Sequence, residues 1–256
     1  MQEQTILGVD VGASGIKGAV IDVHTGTLRS ERLRFPTPDP SLPAAVAATF
    51  AALVTQINWE GPIGCGFPSI IRQGVAYTAS NIDKSWIGAN VATLFQQQTG
   101  REVYVLNDAD AAGKAERGFC KGKGQKGTII LVIIGSGVGT AVFVNGSMIP
   151  NTELGHLYLP GHKRVAEFYA SNNAKKRDNL SWMEWAKRFD EYLVHLEVLF
   201  SPDLFILGGG TSKYFDLYKE CFTVVTPITP AELLNSAGMV GAAAYAKEQH
   251  ECKKVH

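Results

Sequence analysis

The stretch Thr5-Ile6-Leu7-Gly8-Val9-Asp10-Val11-Gly12-Ala13-Ser14-Gly15-Ile16-Lys17-Gly18-Ala19-Val20-Ile21-Asp22-Val23 decides how this chain is read. It reads as two strands rich in β-branched residues, joined by a small-residue turn at Gly12-Ala13-Ser14-Gly15. Gly12 and Gly15 admit backbone angles closed to other residues, so amide N–H groups can converge there on an anion. Asp10, at the end of the first strand, can hold a divalent cation directly or through water. Ser14 and Lys17 add a hydroxyl and a positive charge. The pattern suits a chain of phosphates.

The stretch has an echo. Residues 128–144, TIILVIIGSGVGTAVFV, are again strand, small-residue turn and strand, and align with the first stretch across a one-residue gap. Gly135, Ser136, Gly137 and Gly139 offer a second grip on phosphates. Ile133 stands where the first copy has Asp10, so only the first copy brings a carboxylate.

The 256 residues suffice for one large domain or two smaller lobes. Hydrophobic residues at 45% and charged residues at 19% are those of a globular protein. Lysine plus arginine number 24, as do aspartate plus glutamate, which argues against a general nucleic-acid binder. Met1-Gln2-Glu3-Gln4 has no basic start and no apolar run behind it, so no signal peptide is expected. No uncharged apolar run reaches the ~18 residues of a membrane span. Cys65, Cys120, Cys221 and Cys252 are scattered, as expected of reduced thiols in a cytoplasmic protein.

Along the chain, Leu28 to Phe35 reads as a third strand, closed by the polar loop 36–40. Leu42 to Ile57 reads as a buried helix. Strands follow at 63–68 and 103–106, with a strand or loop at 74–81 and a helix at 90–99 between them. Ala109 to Phe119 reads as a helix, and residues 157–167 as irregular. Ser181 and Glu184 form a plausible capping box ahead of Trp182, Trp185, Phe189, Tyr192 and Leu196, which recur at helical spacing and read as core. Leu204 to Leu207 is a buried strand stopped by Gly208-Gly209-Gly210, and Gly238 to Lys247 is an Ala-rich closing helix.

Asp108 is the strongest candidate catalytic carboxylate. It stands between the end of a strand and the start of a helix. It can be an N-cap, a general base, or both, because a capped carboxylate is also an oriented one. Glu153 and His156, with Gly155 favouring a loop, can hydrogen-bond neighbouring sugar hydroxyls or be a surface Glu and a structural His. Gly122-Lys123-Gly124-Gln125-Lys126-Gly127 matches GxGxxG but precedes a strand and opens no helix, the wrong context for a dinucleotide. Gly209 and Gly210 either let a nucleotide approach or simply turn the chain.

In this order, Asp10-x-Gly12-x-Ser14-Gly15-x-Lys17, Asn107-Asp108, Gly135-x-Gly137-x-Gly139, Glu153-x-Gly155-His156 and Gly208-Gly209-Gly210 resemble the ROK sugar kinases, a family of the actin-like ATPase superfamily. The resemblance runs from about residue 5 to residue 246. It is strongest to the polyphosphate glucokinases, through stretches such as Asn81-Ile82-Asp83-Lys84-Ser85-Trp86, Asn107-Asp108-Ala109-Asp110 and Pro150-Asn151-Thr152-Glu153-Leu154-Gly155-His156.

The resemblance implies an α/β chain with the two-lobed actin-like ATPase (ribonuclease H-like) fold and a cleft between lobes. The lobes are expected at 1–107 and 108–237, with 238–256 packing back on the first. Asp108 becomes the general base, and Asn81, Asn107, Asp108, Glu153, His156 and Glu167 sugar ligands. Asp10, Gly12, Ala13, Ser14, Gly15, Lys17, Gly135, Ser136, Gly137, Gly139, Gly209 and Gly210 become donor ligands, with Mg²⁺ at Asp10. The wider family binds zinc through three cysteines just before this Glu and the ExGH histidine. Residues 157–166 contain no cysteine, so no zinc site is expected.

The activity implied is phosphorylation of the glucose 6-hydroxyl, with mannose a second candidate, from polyphosphate, ATP or both. Ala13 stands where the polyphosphate branch usually has Gly, and Ser136 where it has Thr, which bears on donor preference. Lys84, Lys121, Lys123, Lys126, Lys163 and Arg164 are candidates for a polyphosphate path. A homodimer is implied, with no nucleic-acid or membrane partner. The alternatives are a strictly ATP-dependent ROK hexokinase and a non-catalytic sugar sensor. The hairpin at Thr5 leaves no room ahead of it for a DNA-binding domain, which disfavours the sensor.

Overall fold

The computed structural model describes residues 5–255. Met1-Gln2-Glu3-Gln4, read above for a targeting signal, and His256 lie outside them. In chain order come β1 (Thr5–Gly12), β2 (Gly15–Asp22), β3 (Leu33–Phe35), α1 (Pro43–Ile57), β4 (Ile63–Phe67), β5 (Ile71–Arg72), β6 (Val75–Ala76), α2 (Val91–Thr99), β7 (Val103–Asn107) and α3 (Asp108–Phe119). There follow β8 (Thr128–Ile134), β9 (Val138–Val144), β10 (Ser147–Ile149), α4 (Ala166–Ala170), α5 (Asn172–Arg177), α6 (Trp182–Phe200), β11 (Leu204–Gly209), β12 (Ile228–Pro230) and α7 (Ala237–Val255). Among the described residues no helix is long and apolar enough to cross a membrane.

The chain forms two compact units. One runs to Phe119 and takes in Ser236 onward; the other is Cys120–Asn235. The sequence reading placed the first division before α3; the compact units divide after it, because α3 packs against α7 and β4.

In the first unit the sheet order is β3-β2-β1-β4-β7. The β1–β2 and β2–β3 pairs are antiparallel, and β1–β4 and β4–β7 are parallel. Side chains alternate across a strand. Leu7, Val9 and Val11 of β1 therefore join one apolar cluster with Phe50 of α1 and Phe95 of α2. Gly8 and Gly64, neighbours in register, face α7 instead. A Cβ on Gly64 would lie 1.9 Å from Ala242 O, so α7 approaches the sheet at backbone contact.

The second unit repeats the plan, with order β10-β9-β8-β11-β12, antiparallel through β8 and parallel beyond it. The echo in sequence is thus β1–β2 against β8–β9. The core of this unit gathers Trp185, Phe189, Tyr192 and Leu196 of α6 against the sheet. Ser181 and Glu184 form a reciprocal capping box at the start of α6.

Three elements depart from expectation. The third strand is only Leu33–Phe35, and Leu28 makes a single bridge to Ile21. Between them side chains replace the ladder: Ser30 Oγ accepts from Val20 N at 3.0 Å, and Arg29 Nη2 donates to Asp22 Oδ2 at 2.6 Å. The run read as irregular at 157–167 ends in α4, and α5 follows it; five and six residues are too few to show a helical period. The closing helix continues to Val255.

Asp22 closes β2. It accepts from His24 N, Thr25 N and the Arg29 guanidinium, and these bonds, Arg29 first, lower its carboxyl from 3.8 to about 2. A depressed folded pKa gives stability that is present above the unfolded value and is lost as pH falls toward 2. Asp22→Asn is therefore expected to be destabilised at pH 6 but to converge on the parent only at about pH 2 and below. Thermal melts at the two pH values check this, and an equal deficit at both would rule out the charge.

Candidate active site

Gly12 and Gly15 face each other at the end of the first hairpin, leaving Ala13 and Ser14 as the turn. Neither glycine has a positive φ, so the freedom expected of them is not what the turn uses. At Gly15 a Cβ would lie 2.6 Å from Arg34 Nε, so a larger residue there would displace that side chain. Arg34 Nη2 donates to Ser14 O at 2.7 Å, and Thr37 Oγ1 donates to Gly12 O at 2.6 Å. These two pinning residues carry no motif and went unread in sequence.

Asp10 and Lys17 are partners in register, and Lys17 Nζ lies 3.2 Å from Asp10 Oδ2. The start of α7 passes beside them: a Cβ on Gly238 would lie 2.9 Å from Asp10 Cγ and 3.0 Å from its Oδ1. Glycine there keeps space open around the carboxylate. Burial pushes the thiol of Cys65 on β4 well up, and the charge of Asp10 adds to the effect.

At the end of β7 it is Asn107, not Asp108, that caps α3. Asn107 Oδ1 accepts from Ala109 N at 2.8 Å and Asp110 N at 3.1 Å, and its Nδ2 donates to Ser69 O at 3.1 Å. A side-chain amide has two N–H donors, so one remains for a ligand. Asp108, half-buried, is the first helical residue, and its Oδ1 accepts from Ala109 N at 2.8 Å. Ser69 links onward, donating to Thr78 O at 2.7 Å, three residues before the exposed Asn81.

In the second unit the predicted residues converge at one end of the sheet. Ile134 pairs Val138 across the turn Gly135-Ser136-Gly137, and Gly209 pairs Ile134 from β11. Gly139 lies inside β9, opposite Ile133. Gly209 has φ +85°, and a Cβ there would lie 2.3 Å from Ile134 O; Gly210 opens the next turn. Glu167 Oε2 accepts from Val138 N at 3.1 Å and occupies the space that a side chain on Gly137 would need. His156 bridges two carboxylates, with Nδ1 3.5 Å from Glu153 Oε2 and Nε2 3.4 Å from Glu167 Oε1. Burial raises the Glu153 carboxyl, His156 lowers it and Glu167 raises it.

The described residues hold no group of three or more His, Cys, Asp and Glu placed to bind a metal. Asp10 fits Mg²⁺ in another way. That ion keeps several waters and takes one or two carboxylates together with substrate phosphates, and the space preserved by Gly238 suits it. Of the basic residues read as a path, Lys84 donates to Ala79 O at 2.5 Å and Lys121 pairs with Glu232 at 3.1 Å. Lys123, Lys126, Lys163 and Arg164 are exposed.

Two five-stranded sheets of like order, each opening on a small-residue hairpin, define an α/β protein of the actin-like ATPase class. Residues 6–177 match the ROK family. The chain belongs to that family. It is 44% identical to the polyphosphate glucokinase of Mycobacterium tuberculosis (strain CDC 1551 / Oshkosh), over 92% of this chain and 89% of that one. The inorganic polyphosphate/ATP-glucomannokinase of Arthrobacter sp. strain KM aligns with TM-score 0.91 and 44% identity, covering 96% of this chain and 99% of that one. A ROK family glucokinase from Streptomyces griseus shares the fold, with TM-score 0.82 at 22% identity over 95% and 99% of the two chains.

Proposed function

We propose that the protein transfers the terminal phosphoryl group of inorganic polyphosphate, and of ATP, to the 6-hydroxyl of glucose, with mannose as a second acceptor. The observation that carries this reading is the convergence in the second unit. A small-residue phosphate turn, the Gly209-Gly210 bend and the Glu153–His156–Glu167 cluster lie at one end of one sheet. The 44% identity to a polyphosphate glucokinase and to a polyphosphate/ATP-glucomannokinase supports the choice of sugar and donor.

In this reading Glu153, His156 and Glu167 hold sugar hydroxyls, with Asn81 and the remaining N–H of Asn107. Asp108 orients the 6-hydroxyl. The bond from that oxygen to the terminal phosphorus forms as the bridging P–O bond of the donor breaks. The hydroxyl proton passes to the Asp108 carboxylate, and the shortened donor leaves. Such a transition state asks mainly for placement and charge neutralisation. Amides of the turn Gly12-Ala13-Ser14-Gly15 and of Ser136 and Gly137, the Ser14 hydroxyl and Lys17 supply these from the chain, while the Gly135 amide closes its own turn by donating to Gly137 O at 3.0 Å. Gly139, Gly209 and Gly210 keep the approach to the second turn free of side chains. Mg²⁺ at Asp10 would add a further positive charge against the donor oxygens. The reading includes a cytoplasmic homodimer, whose assembly light scattering checks.

The test is a glucose 6-phosphate assay with polyphosphate and ATP offered separately and then together. Product from either donor alone is expected. Product from ATP only would reduce the protein to an ATP-dependent hexokinase. Product from neither, with glucose still bound, would leave a sugar sensor.

A further inference from the structure

The second unit carries a cationic feature that sequence reading met only in part. Phe168 on α4 is 40% exposed, and the guanidinium carbons of Arg164 and Arg177 each lie 4.0 Å from its ring centroid. Both guanidiniums are thus within cation–π reach of one ring. Arg177 is fixed further: Nη1 donates to Phe168 O at 3.0 Å, while Nε and Nη2 donate to the two oxygens of Asp178 at 2.7 and 2.9 Å. Arg188 Nη1 donates to the same carboxylate at 2.5 Å, and its guanidinium lies 5.0 Å from the Tyr169 ring centroid. Asp178 thus serves two cations. Among the described residues Arg164 pairs with no carboxylate. From Lys163 to Arg188 seven lysines and arginines stand against three acidic residues, in a chain of zero net charge.

Two hydrogen bonds tie this surface to the second phosphate turn. Val138 N donates to Glu167, the residue before Phe168, and Asn172 N donates to Gly135 O at 3.1 Å. Asn172 begins α5, which ends at Arg177, so the turn and the cations are separated by about 9 Å of helix. A nucleoside triphosphate ends its charge at three phosphates. An inorganic polyphosphate continues, one charge per added phosphate, and needs cations further along. Guanidiniums already stacked on an aromatic face lose little freedom when they bind phosphate.

We propose that Arg164 and Arg177, both held against the ring of Phe168, form a subsite for phosphates of a polyphosphate donor beyond those at the glycine turns. The subsite rests on the polyphosphate reading above. Arg164 carries most of its free charge, because Asp178 offsets much of that of Arg177 and Arg188.

The test compares the full-length protein with Arg164→Glu and Phe168→Leu, using ATP, tripolyphosphate and long-chain polyphosphate at low and high salt. Arg164→Glu is expected to raise KM for the long chain about tenfold, since a charge-assisted phosphate contact becomes a repulsion. It leaves kcat, and KM for ATP and tripolyphosphate, within about twofold because that charge lies beyond the reach of a short donor through screening salt. The slope of log KM against log salt for the long chain falls by about 0.7, the loss of one contact to a flexible polyanion. Phe168→Leu keeps every charge and loosens both arginines, and about a threefold rise is expected. Filter binding of long-chain polyphosphate should rank the proteins alike without turnover. An unchanged long-chain KM in Arg164→Glu, or equal rises on ATP and the long chain, overturns the subsite alone. So does a parent KM that is the same at every chain length. A parent that uses ATP but no polyphosphate overturns the donor reading, and the subsite with it.

Discussion

Asp108→Asn is expected to lower glucose phosphorylation by about 10²–10⁴-fold, the usual reach of a positioned general base, with glucose binding close to that of the parent. The substitution leaves the helix cap in place. The cap of α3 belongs to Asn107, whose Oδ1 takes the amides of Ala109 and Asp110. The bond that Asp108 Oδ1 accepts from Ala109 N is one an asparagine oxygen can also accept. What asparagine cannot do is take up a proton. Loss of a negative charge in the first helical turn should cost only about 0.3–1 kcal/mol of stability. A glucose 6-phosphate assay beside a glucose-binding isotherm and a thermal melt separates these effects. Turnover near that of the parent, with either donor, would remove Asp108 from the chemistry.

The same residues show what the sequence could and could not disclose. Both hairpins were legible because a short run of glycine and serine between β-branched strands has few other meanings. Their physics was not. Gly12, Gly15, Gly135 and Gly137 all lack a positive φ, and a Cβ at Gly15 or Gly137 would meet the side-chain ends of Arg34 and Glu167 as they stand. Those clashes come from residues 19 and 30 positions away, beyond any local pattern. The cap on α3 was assigned one residue late for a related reason. Asn107 and Asp108 are both good capping residues, and only the hydrogen bonds distinguish them. Glu153 and His156 could be paired from spacing. Glu167 entered only through resemblance, because α4 brings it back to His156 across a run with no periodicity. The arginines around Phe168 were split between a residue that had been noticed and one that had not, since α5 is a single turn and a half of polar residues.

Gly64→Ala is expected to be among the most damaging single substitutions in the first unit. Gly64 lies on β4 between Gly8 of β1 and Tyr104 of β7, and its outward face meets α7. A Cβ there would stand 1.9 Å from Ala242 O and 2.3 Å from Ala242 C. A flexible side chain could move aside; a helix backbone cannot, because α7 is held on its other flank by the same kind of contact. A Cβ on Gly241 would lie 1.6 Å from Ala111 O of α3. The helix is therefore wedged between sheet and α3 with no slack. Overpacking costs of 1–3 kcal/mol assume partial relaxation, so a loss of about 4 kcal/mol or more is expected here. That is a large part of the stability of a domain, typically about 5–15 kcal/mol. Gly118→Ala on α3 is the control: no atom lies within 4 Å of its Cβ position, and replacing a helical glycine should stabilise by about 0.5–1 kcal/mol. Circular-dichroism melts of the two variants decide the matter, and a Gly64→Ala melt matching the parent would mean that α7 is not seated this closely. The consequence reaches the chemistry, because the start of the same helix is what keeps space open beside Asp10. A shifted α7 should therefore reduce phosphorylation at temperatures where the variant is still folded.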